Sequence, residues 1–421
     1  MLRNIYRHYL EPMRTFSRDA RLFLWMSVIY GIIYTGWQLF FNLYMLESGY
    51  SREFLGLVNS LPSLTALLFG ILIGRISDHF GRKPTLLVNI ILLGLSMLGQ
   101  ITFHQKAIIA LMAGLTGIFN MFMLVNFSPL MMKLSDENNR TLLFSLDFGL
   151  QTFAGAVGSL FAGQLPGLFG RLLHAGATSD VAYRWSLAFF VLLGTTGLIP
   201  LWMMREPKTP QAPIQADAPR SALGPGLNRL ILKLATPNFL TGLGAAILIP
   251  YMNVFFKDQF NISDSLLGIL FSLSSLFSGI GSIVGPRLSQ QLGGKVRTVV
   301  ITHTAAVAFL LVVGFIPSLW VAGIAALIRS GLANMSAPLY SAFGMEQTPE
   351  HHHGFVSSVM NISWQIGWAV GPYISGVVQV RYGFAPLFIA TSILYLISNA
   401  VTWWFFRNSE TAAPVQSMTT A

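Results

Sequence analysis

Apolar runs long enough to cross a bilayer recur along this chain and constrain its fold more than any other feature. A membrane-spanning helix needs about 20 predominantly apolar residues, and runs of this length fill most of the sequence. The runs predict twelve spans, near residues 22–46, 54–76, 84–103, 107–132, 141–169, 184–204, 231–256, 264–287, 298–316, 318–345, 354–380 and 384–406. Only Pro317 and Ser318 separate the ninth and tenth runs, so the even count depends on a tight proline turn there.

The composition excludes a soluble enzyme. Hydrophobic residues make up 53% of the 421 residues and charged residues 10%, whereas soluble chains carry roughly 25% charged residues. The formal net charge of +10 is spread singly between apolar runs, which indicates topology signals rather than a nucleic-acid-binding domain. Because the sequence has no cysteine, disulfides, thiolate metal sites and cysteine nucleophiles are excluded as well.

The basic residues predict the orientation, because Lys and Arg favour cytoplasmic loops. With the N-terminus inside, the cytoplasmic segments hold 19 of the 26 Lys and Arg residues, the outer segments hold six, and Arg329 falls within a span. We therefore expect a multi-pass protein of the plasma (inner) membrane whose two termini both lie in the cytoplasm.

A proline-rich segment divides the chain. Five prolines and almost no large apolar residues occur between Arg205 and Arg229, which is typical of a linker. The predicted domains are a cytoplasmic N-terminal segment (1–21), an N-terminal six-helix bundle (22–205), a cytoplasmic linker (206–228), a C-terminal six-helix bundle (229–407) and a cytoplasmic tail (408–421). The pattern of the N-terminal segment fits either a helix lying on the anionic inner leaflet or a solvated tail.

The two halves repeat one another in sequence. A shift of 212 residues aligns YSREFLGLVNS (50–60) with ISDSLLGILFS (262–272). Shifts of 213 and 214 align AGAVGSLFAG (154–163) with GWAVGPYISG (367–376) and GIFNM (117–121) with GLANM (331–335). Three matches in order at nearly one offset indicate six spans repeated in the same orientation. Two parallel bundles that face one another across a central axis are suited to rocking.

A cytoplasmic motif follows the second span. GRISDHFGRK (74–83) contains Gly74, Asp78, Gly81, Arg82 and Lys83 at the spacing of the cytoplasmic signature of the major facilitator superfamily, and PRLSQQLGGK (286–295) is a degraded second copy. The chain thus resembles this superfamily in span count, repeat and linker. The resemblance implies an all-α polytopic membrane protein with 12 transmembrane helices in two six-helix bundles related by pseudo-two-fold symmetry. It also implies alternating-access transport of a small solute.

The signature residues are expected to form a gating motif. Asp78 would accept hydrogen bonds from the N-terminus of a facing helix and favour the outward-open state, while Arg82 and Lys83 would pair with Asp136 and Glu137 in the next cytoplasmic loop. The alternative is a turn that only obeys the positive-inside rule. An acid inside a basic cytoplasmic turn opposes that rule, which favours gating.

Polar residues predict where a substrate binds. The parallel-repeat arrangement places spans 1, 4, 7 and 10 around the cavity, and the first span carries a polar stripe at helical spacing. The predicted substrate-binding residues are Tyr30, Tyr34, Trp37, Gln38, Asn42, Asn120, Asn253, Arg329, Asn334, Asn361, Trp364, Gln365 and Trp368. Interhelical hydrogen bonding is the alternative role for each buried amide.

Two charged residues lie deep in predicted spans, where each costs about 2.5 to 3.5 kcal/mol on insertion. Arg329 is near the midplane of the tenth span, and we expect it to attract an anionic or strongly hydrogen-bonding part of a substrate. Asp147 is about two turns into the fifth span and is the deep carboxylate available for proton coupling. A structural ion pair or a hydrogen bond to carbonyls is the alternative for both.

Resemblance to proton-driven drug antiporters of the superfamily is incomplete. GWAVGPYISG resembles their glycine-proline motif, but it lies on the eleventh span rather than the fifth. Their intramembrane arginine of the fourth span is absent, and Ala110 and Ala113 occupy the corresponding positions. Proton coupling therefore depends on Asp147 alone.

No other group of residues predicts a chemical site. EHHHG (350–354) has the residues of a metal site or a pH sensor, but a solvated loop is the simpler interpretation. No Ser, His and Asp triad and no pair of metal ligands shares one depth within the spans. We therefore expect no enzyme activity, no cofactor and no metal.

The leading hypothesis is a solute carrier that exports amphipathic compounds or acts as a facilitator, because the predicted cavity is aromatic, rich in amides and poor in acids. A sensor or scaffold that no longer transports is the first alternative. A lipid translocator with a phosphate at Arg329 is the second. The expected partners are a small-molecule substrate, the lipid bilayer and a coupling proton, with no nucleic acid, and we expect a monomer.

Overall fold

The computed structural model describes residues 16–136, 139–205, 225–349 and 352–409, and it describes Ile71, Asp78, Thr141 and Pro225 without their side chains. Predictions for most of the N-terminal segment, most of the linker, nearly all of the tail, Glu137 and the start of EHHHG lie outside the described residues. The same holds for the predicted hydrogen bonds of the Asp78 side chain.

The described residues form α-helices that match the predicted spans. In the first half these are α1 (Arg18–Glu47), α2 (Arg52–Phe80), α3 (Arg82–Thr102), α4 (Lys106–Leu134), α5 (Arg140–Leu172), α6 (Asp180–Thr195) and α7 (Leu198–Met203). In the second half they are α8 (Pro225–Leu248), α9 (Met252–Phe260), α10 (Asp264–Gln291), α11 (Lys295–Phe315), α12 (Leu319–Glu346), α13 (His353–Tyr382) and α14 (Ala385–Phe406). Ten segments are long and apolar enough to cross a membrane, and α5 and α13, with 33 and 30 residues, complete the twelve spans.

Serine residues fix the start of several helices. The Ser17 hydroxyl accepts a hydrogen bond from the backbone N–H of Ala20 at 3.1 Å, and Ser51 accepts one from Phe54 at 3.2 Å. These side chains satisfy backbone donors that have no partner within the first turn of a helix. The predicted proline turn is confirmed too, because α11 ends at Phe315 and α12 begins only at Leu319.

Two of the predicted spans are broken helices, which the sequence analysis did not anticipate. The sixth span consists of α6 and α7, and the seventh consists of α8 and α9 joined by the 3₁₀ turn Ile249–Tyr251. Pro250 lies in this turn, where it has no N–H to continue an α-helical ladder. The break leaves its carbonyl oxygen available to another helix, and the Asn42 side-chain amide donates to it at 2.6 Å.

Packing divides the chain into two compact units. Of the described residues, unit 1 contains those within 16–205, 249–276 and 372–381, and unit 2 contains those within 225–248, 277–371 and 382–409. Unit 1 has an apolar core that includes Phe23, Leu86, Leu130, Leu143 and Leu201. The core of unit 2 includes Leu234, Val296, Phe343, Val356 and Phe406.

Helices α2 and α4 pack closely within unit 1 because a glycine stands at their contact. A Cβ added to Gly117 would overlap the backbone oxygen of Pro62. One turn away, the Thr65 hydroxyl donates to the Gly114 carbonyl at 2.8 Å. Close backbone approach at small residues, with a hydroxyl bonded across the helices, is how helices associate when lipid gives no hydrophobic driving force.

We expect Gly117→Ala to destabilise the protein by about 1–3 kcal/mol, because the added methyl group meets backbone atoms that cannot move aside. Thermal unfolding of the purified protein measures the effect. Gly149→Ala is the matched control, since an added Cβ there has no neighbour within 4 Å and alanine favours the helix. Equal melting temperatures for the two variants would contradict the predicted contact.

Candidate functional site

The aromatic part of the predicted stripe on α1 forms a partly exposed surface of unit 1. Tyr30 and Tyr34 stack with ring centroids 6.1 Å apart, and Tyr34 is 49% exposed. Trp37 stacks on Phe41 at 4.9 Å, and Gln38 is exposed. These side chains offer flat apolar faces beside hydroxyl and amide groups. A substrate contact by any of them stays a prediction.

Asp147 is held between α1 and α5 by neutral hydrogen-bond donors. The carboxylate is 7% exposed, the Ser27 hydroxyl donates to one of its oxygens, and Gln151 donates to the other at 3.0 Å. Within the described part of the chain, no Lys or Arg forms an ion pair with it. Its proton can therefore change without breaking a salt bridge, which fits the predicted coupling role without testing it.

The predicted amides Asn42 and Asn253 bond to the protein itself. Both are buried, with 4% and 1% exposure. Asn42 accepts a hydrogen bond from Asn59 at 3.0 Å, and Asn253 donates to the Leu39 carbonyl at 2.8 Å. With the bond from Asn42 to Pro250, these contacts join α1 to the broken seventh span at the end that the N-in orientation places outside. In this conformation the two amides hold helices together.

The repeated sequence segments form two equivalent close contacts at the same end of unit 1. Ideal Cβ atoms at Gly163 and Gly56 would lie 3.0 Å from the Cα of Gly268 and 3.3 Å from the Cα of Gly376, respectively. The repeat aligns Gly56 with Gly268 and Gly163 with Gly376, so one contact is the symmetry copy of the other. Each contact joins a helix of the first sequence half to a helix of the second.

Ion pairs surround these glycine contacts. Arg52 bonds to Asp258 at 2.5 Å, and Lys257 bonds to Asp264 at 2.6 Å. Asp264 also accepts a hydrogen bond from the Tyr183 hydroxyl at 3.0 Å. We call these ion pairs, the two glycine contacts and the Asn42 and Asn253 bonds the outer network. Apart from the pair of Lys257 with Asp264 and the bond from Asn59 to Asn42, its contacts join helices that belong to different sequence halves.

The signature forms the turn between α2 and α3. Gly81 adopts a φ of 86°, a left-handed conformation that favours glycine. Lys83 donates to the carbonyl oxygen of Trp202 at 2.9 Å, so it binds the C-terminal end of α7, where a cation is favourable. Gly74 has open space around it, since an added Cβ would have no neighbour within 4 Å.

The acids expected to pair with the signature lie in the loop after α4. Arg82 is half-buried. The Asp136 carboxylate accepts hydrogen bonds from the backbone and the side chain of Asn139, at 3.1 and 3.0 Å. The predicted pairing of Arg82 and Lys83 with these acids stays a prediction.

A cavity of about 310 Å³ in unit 2 brings two of the predicted residues together. Its lining is Asn238, Ser341, Met345, Ser357, Met360, Asn361 and Trp364, from α8, α12 and α13. None of the described residues that line it is charged. Methionine adapts to varied apolar shapes, tryptophan offers a large flat surface, and the amides and hydroxyls can both donate and accept.

Several predicted residues do not line this cavity. Gln365 and Trp368 are half-buried on the same helix. Asn334 donates to the Ser278 hydroxyl at 3.0 Å and so joins α12 to α10. Asn120 is half-buried on α4 in unit 1. Asn238 was not among the predicted residues, although an amide directly after a proline within an apolar run is a signal in the sequence.

Arg329 lies in a polar cluster of unit 2 that the sequence analysis also missed. It is close enough to His303 of α11 and Tyr395 of α14 for electrostatic interaction. A ring nitrogen of His303 hydrogen-bonds to Asn399 at 2.9 Å, and its ring lies 4.6 Å from that of Tyr395. His303 is the one histidine of the sequence within a predicted span, which was the signal. Arg329 Nε is buried without a hydrogen-bond partner, and no described acid pairs with Arg329.

We expect Arg329→Met to leave the thermal stability unchanged or to raise it, because an unpaired cation at hydrocarbon depth costs free energy. Lys257→Met is the contrasting variant. It removes the partner of Asp264, whose side chain is 6% exposed, and breaking a buried pair costs about 3–5 kcal/mol. Thermal unfolding of both purified variants tests this difference. A comparable loss of stability in Arg329→Met would show a structural pairing instead.

Comparison with known proteins identifies the type of fold that carries these features. A sequence profile of the Major Facilitator Superfamily matches residues 23–236 and 234–421. The multidrug resistance protein MdtG of Proteus mirabilis (strain HI4320) is 28% identical over 182 residues, which are 42% of this chain and 44% of that protein. MdtG of Salmonella newport (strain SL254) is 26% identical over 175 residues, which are 41% and 43% of the two chains. Each match thus spans less than half the length of the relative.

Solved structures show the same fold over nearly the whole chain. The crystal structure of a bacterial homologue of the human lysosomal transporter Spinster, in an inward-facing and unoccupied conformation, superposes with a TM-score of 0.79. It is 15% identical, and the superposition covers 94% of this chain and 98% of that one. The nucleoside transporter NupG superposes with a TM-score of 0.71 at 14% identity, over 93% and 99% of the two chains.

Proposed function

The chain belongs to the major facilitator superfamily, and from this premise we propose that it exports amphipathic compounds across the membrane by alternating access. It is a multi-pass membrane protein with the twelve-helix fold of this transporter family. The family supplies the expectation of a small-molecule substrate that crosses the bilayer. The class of substrate is our proposal.

The cavity of unit 2 carries the proposal. Its lining combines Trp364 with two methionines, two amides and two hydroxyls, so an apolar body and several hydrogen-bonding groups find partners at once. The described residues of the lining carry no charge, so they impose no fixed net charge on the ligand. The multidrug resistance relatives support the same class of substrate, although they match only part of the chain.

The outer network supports alternating access. It joins helices of the two sequence halves through glycine contacts, amide bonds and the ion pair of Arg52 with Asp258. Contacts of this kind between helices can form in one packing arrangement and separate in another. We propose that they close the outer end in one state and separate in the other, and that the cytoplasmic signature with Asp78, Arg82 and Lys83 closes the opposite end.

We propose that Asp147 is the coupling group and that a proton is the coupling ion. The buried carboxylate bonds only to Ser27 and Gln151 within the described residues. Both side chains can accept as well as donate hydrogen bonds, so they can remain partners when the carboxylate is protonated. We further propose an inner-membrane monomer with both termini in the cytoplasm, on the charge distribution given above. The unpaired Arg329 remains a proposed anchor for an anionic or hydrogen-bonding part of the substrate.

Lipid translocation is the second candidate. It would place a phosphate at Arg329 and acyl tails along Trp364 and Trp368. Of these three residues, Trp364 alone lines the cavity, and Arg329 lies beside His303 and Tyr395. Because Arg329 lies outside the cavity that Trp364 lines, a single lipid is less well accommodated than a small amphipathic molecule, and we favour the export of such molecules.

We expect Trp364→Ala to slow the extrusion of a fluorescent amphipathic dye about tenfold, because the side chain supplies the largest apolar face of the cavity and stacking with an aromatic ligand is lost. Dye fluorescence in cells that lack their own exporters, at equal amounts of protein in the membrane, measures the rate. Trp404→Ala is the matched control, since Trp404 is 69% exposed and lies outside the cavity.

Equal extrusion by the two tryptophan variants would reject this cavity as the substrate site. No extrusion by the unchanged protein with any amphipathic dye, together with normal assembly, would favour the sensor or scaffold alternative. Scrambling of a fluorescent phospholipid in vesicles that contain the purified protein, without dye extrusion from the cells, would favour lipid translocation.

We expect Gly163→Leu to hold the outer end open, because a side chain there meets the backbone of Asp264 and Gly268. The chain has no cysteine, so Ser60→Cys provides a single label position where Ser60 accepts a hydrogen bond from the Tyr373 backbone at 3.0 Å. Labelling by an impermeant maleimide added outside should accelerate severalfold. The control is the Ser60→Cys protein that carries Gly167→Leu instead of Gly163→Leu, since an added Cβ at Gly167 has no neighbour within 4 Å. Unchanged labelling would contradict the gate.

A further inference from the structure

Asn89 of α3 is a buried amide without a hydrogen bond. Its side chain is 3% exposed, and neither its oxygen nor its nitrogen has a partner in the described structure. A buried amide is normally paired, because loss of water without a replacement bond carries a desolvation cost. The side-chain nitrogen of Asn89 can therefore donate, and its oxygen can accept, a hydrogen bond with a bound molecule.

The amide lines a second cavity, of about 280 Å³, within unit 1. The lining is Ile76, Phe80, Pro84, Thr85, Val88, Asn89, Leu92, Phe119 and Phe122, from α2, α3 and α4. The Thr85 hydroxyl already donates to the Gly81 carbonyl at 2.6 Å. Asn89 is thus the polar side chain of this lining with unused hydrogen-bonding capacity.

The depth of Asn89 indicates where a ligand comes from. It lies seven residues into α3, which is about 10 Å along the axis at 1.5 Å per residue. The 21 residues of α3 extend about 30 Å, the thickness of the hydrocarbon core. Val88 and Leu92, which line the cavity on either side of Asn89, are 57% and 38% exposed. Apolar side chains exposed at this depth contact lipid, so the cavity opens towards the bilayer.

We propose that this cavity, the Asn89 pocket, binds a lipid-soluble small molecule whose apolar body packs against Phe119 and Phe122. One alcohol, carbonyl or amide group of the ligand exchanges a hydrogen bond with Asn89. The acyl chain of an ordinary lipid would fill the volume and leave the amide unpaired. An ionised head group would meet no opposite charge among the described residues of the lining. The ligand is therefore an amphiphile with a single neutral polar group inside an apolar framework.

Photolabelling of the full-length protein in lipid nanodiscs tests the proposal. The probe is a medium-chain alkyl alcohol that carries a diazirine, and the alkane of equal length with the same diazirine is the comparison. Mass spectrometry locates the adducts. We expect the alcohol to label the α2, α3 and α4 segments saturably, while the alkane labels exposed apolar surface without saturation.

Two variants distinguish the hydrogen bond to the Asn89 amide from the volume of the pocket. Asn89→Leu should raise the concentration of alcohol that half-saturates labelling about tenfold, which corresponds to about 1.4 kcal/mol, without loss of folding, because leucine replaces an unpaired amide. Leu92→Trp should abolish saturable labelling by filling the pocket. Leu95→Trp should not, since Leu95 is 58% exposed on the same helix and lies outside the lining.

Several outcomes would overturn the proposal. They are absence of adducts in the three segments, equal saturation by alcohol and alkane, and equal labelling of Leu92→Trp and Leu95→Trp. Unchanged half-saturation in Asn89→Leu would reject the recognition of a polar group. Dye extrusion through the cavity of unit 2 is a separate measurement, so failure of either idea is distinguishable from failure of the other.

Discussion

The hydrocarbon around this chain offers no hydrogen bonds, and most of the structure follows from that constraint. Backbone groups are satisfied within long helices, and where a helix breaks, a side chain from another helix supplies the missing bond. The carbonyl of Pro250 shows this, because the break in the seventh span exposes it and the Asn42 amide bonds to it. A proline that interrupts one helix thus creates the polar contact that joins it to another.

The same constraint explains why small residues govern the contacts between helices. Lipid tails are as apolar as leucine, so helices gain by close backbone approach rather than by burying large side chains. The glycine contacts of the outer network occur twice, once for each copy of the internal repeat. A movement that separates the two sequence halves must open both copies.

The sequence predicted helices well and their neighbours poorly. Apolar runs located the helices of the family fold, ten of which are long and apolar enough to cross a membrane among the described residues, and the proline turn at Pro317 was confirmed, because both depend on local composition. Helix breaks at residues 196–197 and 249–251 were missed, since each leaves the apolar run uninterrupted. Asn42 and Asn253 were placed on the correct spans, but their bonds to one another's helices depend on tertiary packing. The partners of Arg329 were missed for the same reason, because His303 and Tyr395 come from two other helices.

Two buried polar groups without hydrogen-bond partners, Asn89 and Arg329 Nε, differ in whether they adjoin a cavity. Asn89 adjoins a cavity at hydrocarbon depth, so a ligand can reach it in the conformation described here. Arg329 lines neither of the two cavities and lies beside His303 and Tyr395. It is half-buried, and no described acid pairs with it. If Arg329 anchors a substrate, the anionic or hydrogen-bonding group of that substrate offsets the cost of the unpaired charge, and binding then favours the state of the transport cycle in which this contact forms.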